Sequence, residues 1–222
     1  MIKIDNLNVK LGSSHILKNI NINININNSI IGLFGPNGAG KTTLLTTLTG
    51  FINKYRGTIS GLDKRKISYL PDKPFLYGFM TLKLAIEYYS DAFHDFDYDK
   101  AIRLFGKLKL SPQQKIAECS KGMIEQIHMI LALCRNVNVY IFDEPLASVD
   151  PLTRDDIMTM IKEERYPNSV VIISTHLISD VESLFDEVIM IKDGEIVLHE
   201  SVKSLKHNNN LSLEKIFKEK LK

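Results

Sequence analysis

Apolar and polar positions change period along this chain. IKIDNLNV (residues 2–9) alternates, and NINININN (21–28) alternates strictly, with Ile22, Ile24 and Ile26 facing one way and asparagines the other. Such alternation predicts half-buried strands, and the asparagines need no chemistry beyond solvation. SIIGLF is a short continuous apolar run, read as a buried strand. Glycines follow it at once, then KTTLLTTLTG, a helix closing on Gly50. Two more short strands fall within residues 57–71. From about Thr81 to Arg135 the spacing becomes helical, in TLKLAIEYY, DYDKAIRLFGKL and ECSKGMIEQIHMILAL. Strands return at VNVYIFD, SVVIIS, DEVIMIK and GEIVLHE. The pattern predicts an α/β core interrupted by a helical insertion. HNNN (207–210) reads as a short linker. Leu213, Ile216, Phe217 and Leu221 read as the apolar stripe of a last helix, docked on the protein's own core rather than on a membrane surface.

Composition narrows the classes. The 222 residues suit one large domain, or a domain with an inserted subdomain. With 44% hydrophobic and 24% charged residues, a buried core is expected and disorder is not. A net charge of +2 is too small to argue for nucleic acid or an anionic membrane. Cys119 and Cys134 show no metal spacing and suit a reducing cytosol. No charged-then-apolar leader opens the chain, so secretion is not expected. The apolar runs are too short for a bilayer, so no membrane span is expected either.

GPNGAGKT (Gly35, Pro36, Asn37, Gly38, Ala39, Gly40, Lys41, Thr42) fits G-x-x-x-x-G-K-[ST] in full, between a buried strand and a helix. Glycines let backbone N–H groups curl around phosphate oxygens, and the helix N-terminus adds positive partial charge. Lys41 would reach the β- and γ-phosphates of ATP. Thr42, with Thr43 beside it, would offer a hydroxyl to Mg²⁺. VYIFDEP ends a buried strand on two acids. Asp143 can join the Mg²⁺ shell, and Glu144 can polarise a water for in-line attack. IISTH ends another buried strand on His176, well placed to sense a γ-phosphate. Ser120-Lys121-Gly122-Met123 opens a helix. Its serine is a natural cap, but a glycine in the first turn costs stability, which leaves an anion-binding use open.

Taken together, these motifs make nearly the whole chain resemble the nucleotide-binding subunit of ATP-binding-cassette (ABC) transporters, in the right order. The resemblance implies an α/β P-loop NTPase fold of the ABC-ATPase type. That fold has a mixed core sheet, an antiparallel β-subdomain and an inserted helical subdomain. It divides the chain into a core (1–72 and 136–206), a helical signature subdomain (73–135) and a C-terminal helix (207–222). LASVDP resembles the D-loop, with Asp150. Residues 119–123 stand where the family carries its signature, usually LSGGQ. Ser120 and Gly122 keep the serine and second glycine, while Lys121 and Met123 replace the first glycine and the glutamine. In this family the signature faces the γ-phosphate bound by a second subunit. SYLPDKPFLY resembles the Q-loop, with Asp72 at the glutamine position as a further Mg²⁺ candidate beside Thr42 and Asp143. Leu11 stands where an aromatic ring usually meets adenine. The implied cofactors are ATP and Mg²⁺. The implied partners are a membrane permease subunit and a second ATP-binding subunit, as homodimer or heterodimer, with no nucleic acid. The implied place is peripheral, on the cytoplasmic face of the cell membrane. The implied function is ATP hydrolysis powering export of a peptide, antibiotic or other amphipathic small molecule.

A soluble relative acting on ribosomes or DNA would carry two cassettes or long coiled-coil insertions. One short cassette of near-zero charge argues against it. A P-loop kinase or GTPase would explain neither the signature nor His176. The aromatics of DKPFLYGFMT have two readings, docking a membrane partner or packing inside the helical subdomain.

Overall fold

Two sheets form among the residues that the computed structural model describes, 1–147, 149–177, 182–209 and 213–221. The smaller is antiparallel and joins β1 (Ile2–Leu11) to β2 (Ser14–Ile24) on one side and to β4 (Arg56–Ser60) on the other. The larger runs in the order β5 (Ile67–Leu70), β6 (Val139–Asp143), β7 (Val170–Ser174), β3 (Ile30–Phe34), β8 (Glu187–Lys192) and β9 (Glu195–Ser201). Its strands are parallel except β9, which pairs antiparallel with β8.

Side-chain alternation decides which faces meet. Ile20, Ile22 and Ile24 of β2 point inward with Ile2, Ile4, Leu7 and Val9 of β1, while Asn21 and Asn23 stay exposed. Their apolar face closes over the large sheet and over Leu44, Leu45 and Leu48 of α1 (Lys41–Thr49). β2 stops at Ile24, so Ile26 lies past the strand, half-buried against the same layer. β3, β6 and β7 are buried at every position, as central parallel strands covered on both faces must be.

The opposite face of the large sheet packs on α5 (Pro151–Glu164), α6 (Val202–Asn209) and α7 (Leu213–Leu221). Two of these correct the sequence reading. α5 is capped by Asp150 with Pro151 in its first turn, a start that the sequence displays but that alternation alone does not reveal. The expected linker at HNNN is also overturned: His207, Asn208 and Asn209 belong to α6, and Asn210 lies outside the described residues. Val202 and Leu205, both buried, anchor that helix, so tertiary packing outweighs the weak helix preference of asparagine. The stripe expected on the last helix docks on the core. Ile216 is buried, and the Phe217 ring stands 6.3 Å from Phe34. The side chains of Leu213 and Leu221 lie outside those described.

The insertion contains α2 (Leu82–Ala92), α3 (Tyr98–Lys107) and α4 (Lys121–Leu133). α4 is apolar nearly all round. Met129, Ala132 and Leu133 enter the core, while Ile127, Ile130 and Leu131 pack with α2 and α3. Charged clamps reinforce the join. Arg103 and Lys107 of α3 meet Glu164 at the end of α5, at 2.6 and 3.3 Å. Arg135 is buried just after α4. It bonds both carboxylate oxygens of Asp95, donates to the Ile67 and Arg65 carbonyls at 3.3 and 3.2 Å, and lies 3.8 Å over the Phe93 ring.

Removing that guanidinium strands Asp95 and two carbonyls. Arg135→Ala is expected to lower the unfolding free energy by about 3 kcal/mol, the low end for breaking a buried ion pair, because Asp95 stays partly exposed. Arg135→Lys should recover only part, since an ammonium cannot span the same acceptors. Urea denaturation measures both, and an unchanged midpoint for Arg135→Ala would show that the clamp carries no stability.

Candidate active site

Strand direction gathers the site. β6, β7 and β3 are parallel neighbours, so their C-terminal ends open on one edge, where α/β sheets commonly bind ligands. β3 leads into the Gly35–Gly40 loop, β6 ends on Asp143 and Glu144, and β7 ends on Ser174 shortly before His176. β5, next to β6, leads to Asp72. An open pocket of about 370 Å³ lies there, lined by the loop and by Ile16, Lys41, Thr42, Thr43, Asp72 and Glu144.

The loop turns through Gly40 at φ 107°, a conformation that side-chain-bearing residues rarely adopt. Gly35 is required for another reason, because a Cβ there would stand 2.3 Å from the Ile191 carbonyl oxygen. No side chain caps α1 at Gly40, which leaves its first N–H groups to an anion. Lys41 is buried. Its ammonium donates to the Gly35 carbonyl at 2.8 Å and lies 3.6 Å from Glu144 Oε1.

Glu144 sits at φ 51°. Its N–H is shared between the Ser174 carbonyl (3.1 Å) and the Ser174 hydroxyl (2.9 Å), which fixes this left-handed turn. Its other oxygen, Oε2, lies 2.9 Å from Nδ1 of His176. Lys41, Glu144 and His176 therefore form one chain of polar contacts across three strand ends. Ser174 went unnoticed in the sequence, where only its place two residues before His176 marks it.

Asp143 is fully buried. Oδ1 accepts the Ser174 hydroxyl at 2.5 Å, while Oδ2 is buried without a hydrogen-bond partner. Burial pushes the carboxyl above its ordinary range; the Ser174 and Thr42 hydroxyls oppose this, and the nearby charges of Asp72 and Glu144 add to it. An orphaned carboxylate oxygen beside a threonine hydroxyl and a second acid fits a hard cation. Among the described residues no group of three or more His, Cys, Asp or Glu is arranged to hold a metal. Mg²⁺ would thus depend on Asp143, Thr42, Asp72 and nucleotide phosphates, as Mg²⁺ sites with few protein ligands do.

Other expected residues stand apart. Leu11 is 47% exposed at the end of β1 and does not line the pocket; Ile16, across the hairpin, does. Its apolar side chain on β2 was the available signal. Ser120, Lys121, Gly122 and Met123 are absent from the pocket lining. Ser120 caps α4, accepting the Met123 N–H at 3.3 Å. A Cβ on Gly122 would stand 3.3 Å from Thr153 Oγ1, so the glycine also permits α4 to approach α5. Asp150 caps α5 through the Leu152 and Thr153 N–H groups, both at 3.1 Å. Ser148, within LASVDP, lies outside the described residues.

The ABC transporter family profile matches residues 17–147, more than half of the chain. The chain belongs to the ABC transporter family. It is 31% identical to the uncharacterized ABC transporter ATP-binding protein YxlF of Bacillus subtilis, over 96% of this chain and 75% of that protein. It is 28% identical to the lantibiotic transport ATP-binding protein SrtF of Streptococcus pyogenes, over 98% of this chain and 96% of the other. Two solved structures share the fold. One is an ATP-binding subunit of an ABC transporter (TM-score 0.86, 21% identity, 99% of each chain). The other is a dimeric post-hydrolysis state of the ATP-binding cassette MJ0796 bound to ADP and Pi (TM-score 0.75, 23% identity, 91% of this chain and 99% of that one). This ABC protein is an ATP-binding, ATP-hydrolysing cassette, and no helix among its described residues is long and apolar enough to cross a membrane.

The buried Asp143 carboxyl sets a test of the cation site. Its raised folded-state pKa means that folding retains a proton there, so its contribution to stability falls as pH rises through that value. The empty Asp143→Asn protein is therefore expected to melt no lower than the unaltered chain near neutral pH. Mg²⁺ with ATP should raise the Tm of the unaltered chain and fail to raise that of the variant. A lower Tm for the empty variant would show that the carboxylate stabilises the fold instead of awaiting a cation.

Proposed function

We propose that this chain is the ATPase subunit of an exporter, pairing with a second cassette and with a separate permease at the cytoplasmic face of the membrane. The carrying observation is the split between the two halves of its chemistry. The phosphate-loop pocket gathers Lys41, Thr42, Asp72 and Glu144, while Ser120–Met123 lies outside it. A second subunit's signature would complete the site, and two-fold pairing closes both sites at once. The dimeric MJ0796 cassette supports this arrangement.

Gly35–Thr43 binds the phosphates, with backbone N–H groups and Lys41 matching their charge. Thr42 and Asp143, with Asp72 close by, would hold Mg²⁺, which would supply charge neutralisation at the phosphoryl oxygens. Glu144 takes a proton from the attacking water, and His176, in contact with Glu144, positions it. Ser120 and the first N–H groups of α4 meet the partner's γ-phosphate, with Asp150 beside them.

The permease docks on the aromatic stretch after Asp72. Tyr77 and Phe79 are 68% and 70% exposed and stack on each other at 5.4 Å, while Phe75 packs inward. Of the two readings for these rings, each is thus supported for different residues. The lantibiotic transport name of SrtF supports a peptide, antibiotic or other amphipathic small molecule as cargo; its outward movement is part of the proposal.

Two measurements test the roles. Glu144→Gln is expected to bind ATP yet hydrolyse it roughly 10²-fold more slowly, the scale for losing a general base. Normal turnover would assign the base elsewhere. Ser120→Arg should bind ATP as a monomer and fail to hydrolyse it. Mixed with an inactive Lys41→Ala chain, it should regain activity at the one site built from two intact halves. A mixture as inactive as its components would refute the shared site.

A further inference from the structure

A second basin lies on the outer face of the three-stranded sheet. Asn8 and Lys10 of β1, His15 of β2, Arg56 of β4 and the preceding Lys54 and Tyr55 line a cavity of about 670 Å³. That volume is within the range of small-ligand sites. Strand pairing assembles its walls, with Asn8 opposite Arg56 and Lys10 opposite His15. The basin is separate from the phosphate loop. His15 lines the one and its neighbour Ile16 the other, and adjacent strand residues point to opposite faces.

Its concavity is built into the backbone. β1 shifts register against β2 on both sides of Val9, and against β4 between Asp5 and Asn8. Such irregularities bend a strand and increase its twist. Asn6 and Asn19 take the left-handed conformation at φ 54° and 48°. Asn8 Oδ1 accepts the Asn19 N–H at 3.1 Å and lies 3.2 Å from His15 Nε2, which fixes one wall.

Charge completes the case. Among the described residues no carboxylate lines the basin, and none pairs with Lys10, Lys54 or Arg56. Three cations around one concavity repel one another and focus positive potential there. An entering anion reverses that cost. Arg56 offers a planar fork suited to phosphate oxygens, and the two lysines add point charges.

We propose that this basin binds a small soluble phosphorylated ligand carrying two or three negative charges, its phosphates held by Lys10, Lys54 and Arg56. Its concavity favours a small solute over a membrane surface, which would meet a flatter face with exposed apolar side chains. Here the lining is cationic and polar apart from the half-buried Tyr55 ring.

Inorganic pyrophosphate is the probe. Calorimetry on the full chain carrying Lys41→Ala, which weakens the phosphate loop, should still detect binding. Adding Lys54→Gln and Arg56→Gln should weaken it about tenfold or more, because two charge-assisted contacts go. The same pair in the otherwise unaltered chain should leave ATP affinity unchanged. Should the pair fail to fold, Lys10→Gln is read in the same way. No pyrophosphate binding in the Lys41→Ala chain, or binding that survives loss of the cations, overturns the proposal. Sedimentation with phosphatidylserine vesicles provides the other arm. Vesicle binding that needs Lys54 and Arg56, without pyrophosphate binding, overturns it too and assigns the basin to lipid headgroups.

Discussion

Lys41 is 7% exposed, and an ammonium held so far from water needs a counter-charge. In this structure the partners are the Gly35 carbonyl and, at 3.6 Å, Glu144. A nucleotide phosphate brings more negative charge to the same ammonium and competes with Glu144 for it. In the proposed mechanism the carboxylate relieved of Lys41, already 2.9 Å from His176, would become available to a water molecule. One buried cation would thus tie occupancy of the loop to the readiness of Glu144 as the proposed base. The left-handed turn at Glu144, fixed by Ser174, keeps that carboxylate between the other two groups.

The arrangement depends on parallel strands. Register pairs Leu33 and Asp143 with the same Ser174 on the strand between them. The loop, the buried acid and the histidine-bearing turn therefore emerge at one level of one edge. The small antiparallel sheet covers one side of this edge and contributes Ile16 to the pocket. The Ser120–Met123 turn, the proposed signature, is placed by a different constraint. α4 is apolar on two sides, so it cannot rotate without exposing either the core or the helical packing. Ser120 at its start is fixed by the burial of the residues behind it.

Much of this was legible in the residues. GPNGAGKT lies between β3 and α1 and the two acids stand at the end of β6, as their patterns predict, while the asparagine-isoleucine alternation keeps strand geometry only as far as Ile24. α5 and α6 were not, because their buried residues are few: Ile157 and Ile161 in one, Val202 and Leu205 in the other. So sparse a stripe is hard to distinguish from loop until a sheet is present to cover it. Leu11 shows a further limit. Its position in the order of motifs suggested a base contact, whereas strand geometry turns Ile16 to the pocket and leaves Leu11 in solvent. The cations of the second basin were invisible for the same reason. Lys10 lies far in sequence from Lys54 and Arg56, and only cross-strand pairing of β1 with β4 brings it to them.

The stretch after Asp72 links surface to interior through its rings. Tyr77 and Phe79 stack in the open, but Phe75, two residues before Tyr77, lies face to face with His128 of α4 at 4.4 Å. Burial depresses the His128 pKa to about 4, and its Nε2 has no partner. The imidazole is therefore neutral at physiological pH and behaves as one more flat apolar surface among the side chains around it. Asp72 at one end of the stretch lines the nucleotide pocket. α4, at the other end of the ring contact, is capped by Ser120. A partner bearing on Tyr77 and Phe79 would press on a segment seated against α4, whose start holds the proposed signature, and joined to the pocket by a few residues. Close-packed side chains transmit such a load because they have no slack to absorb it. The helical insertion can therefore serve both surface and site without any charge change along the way.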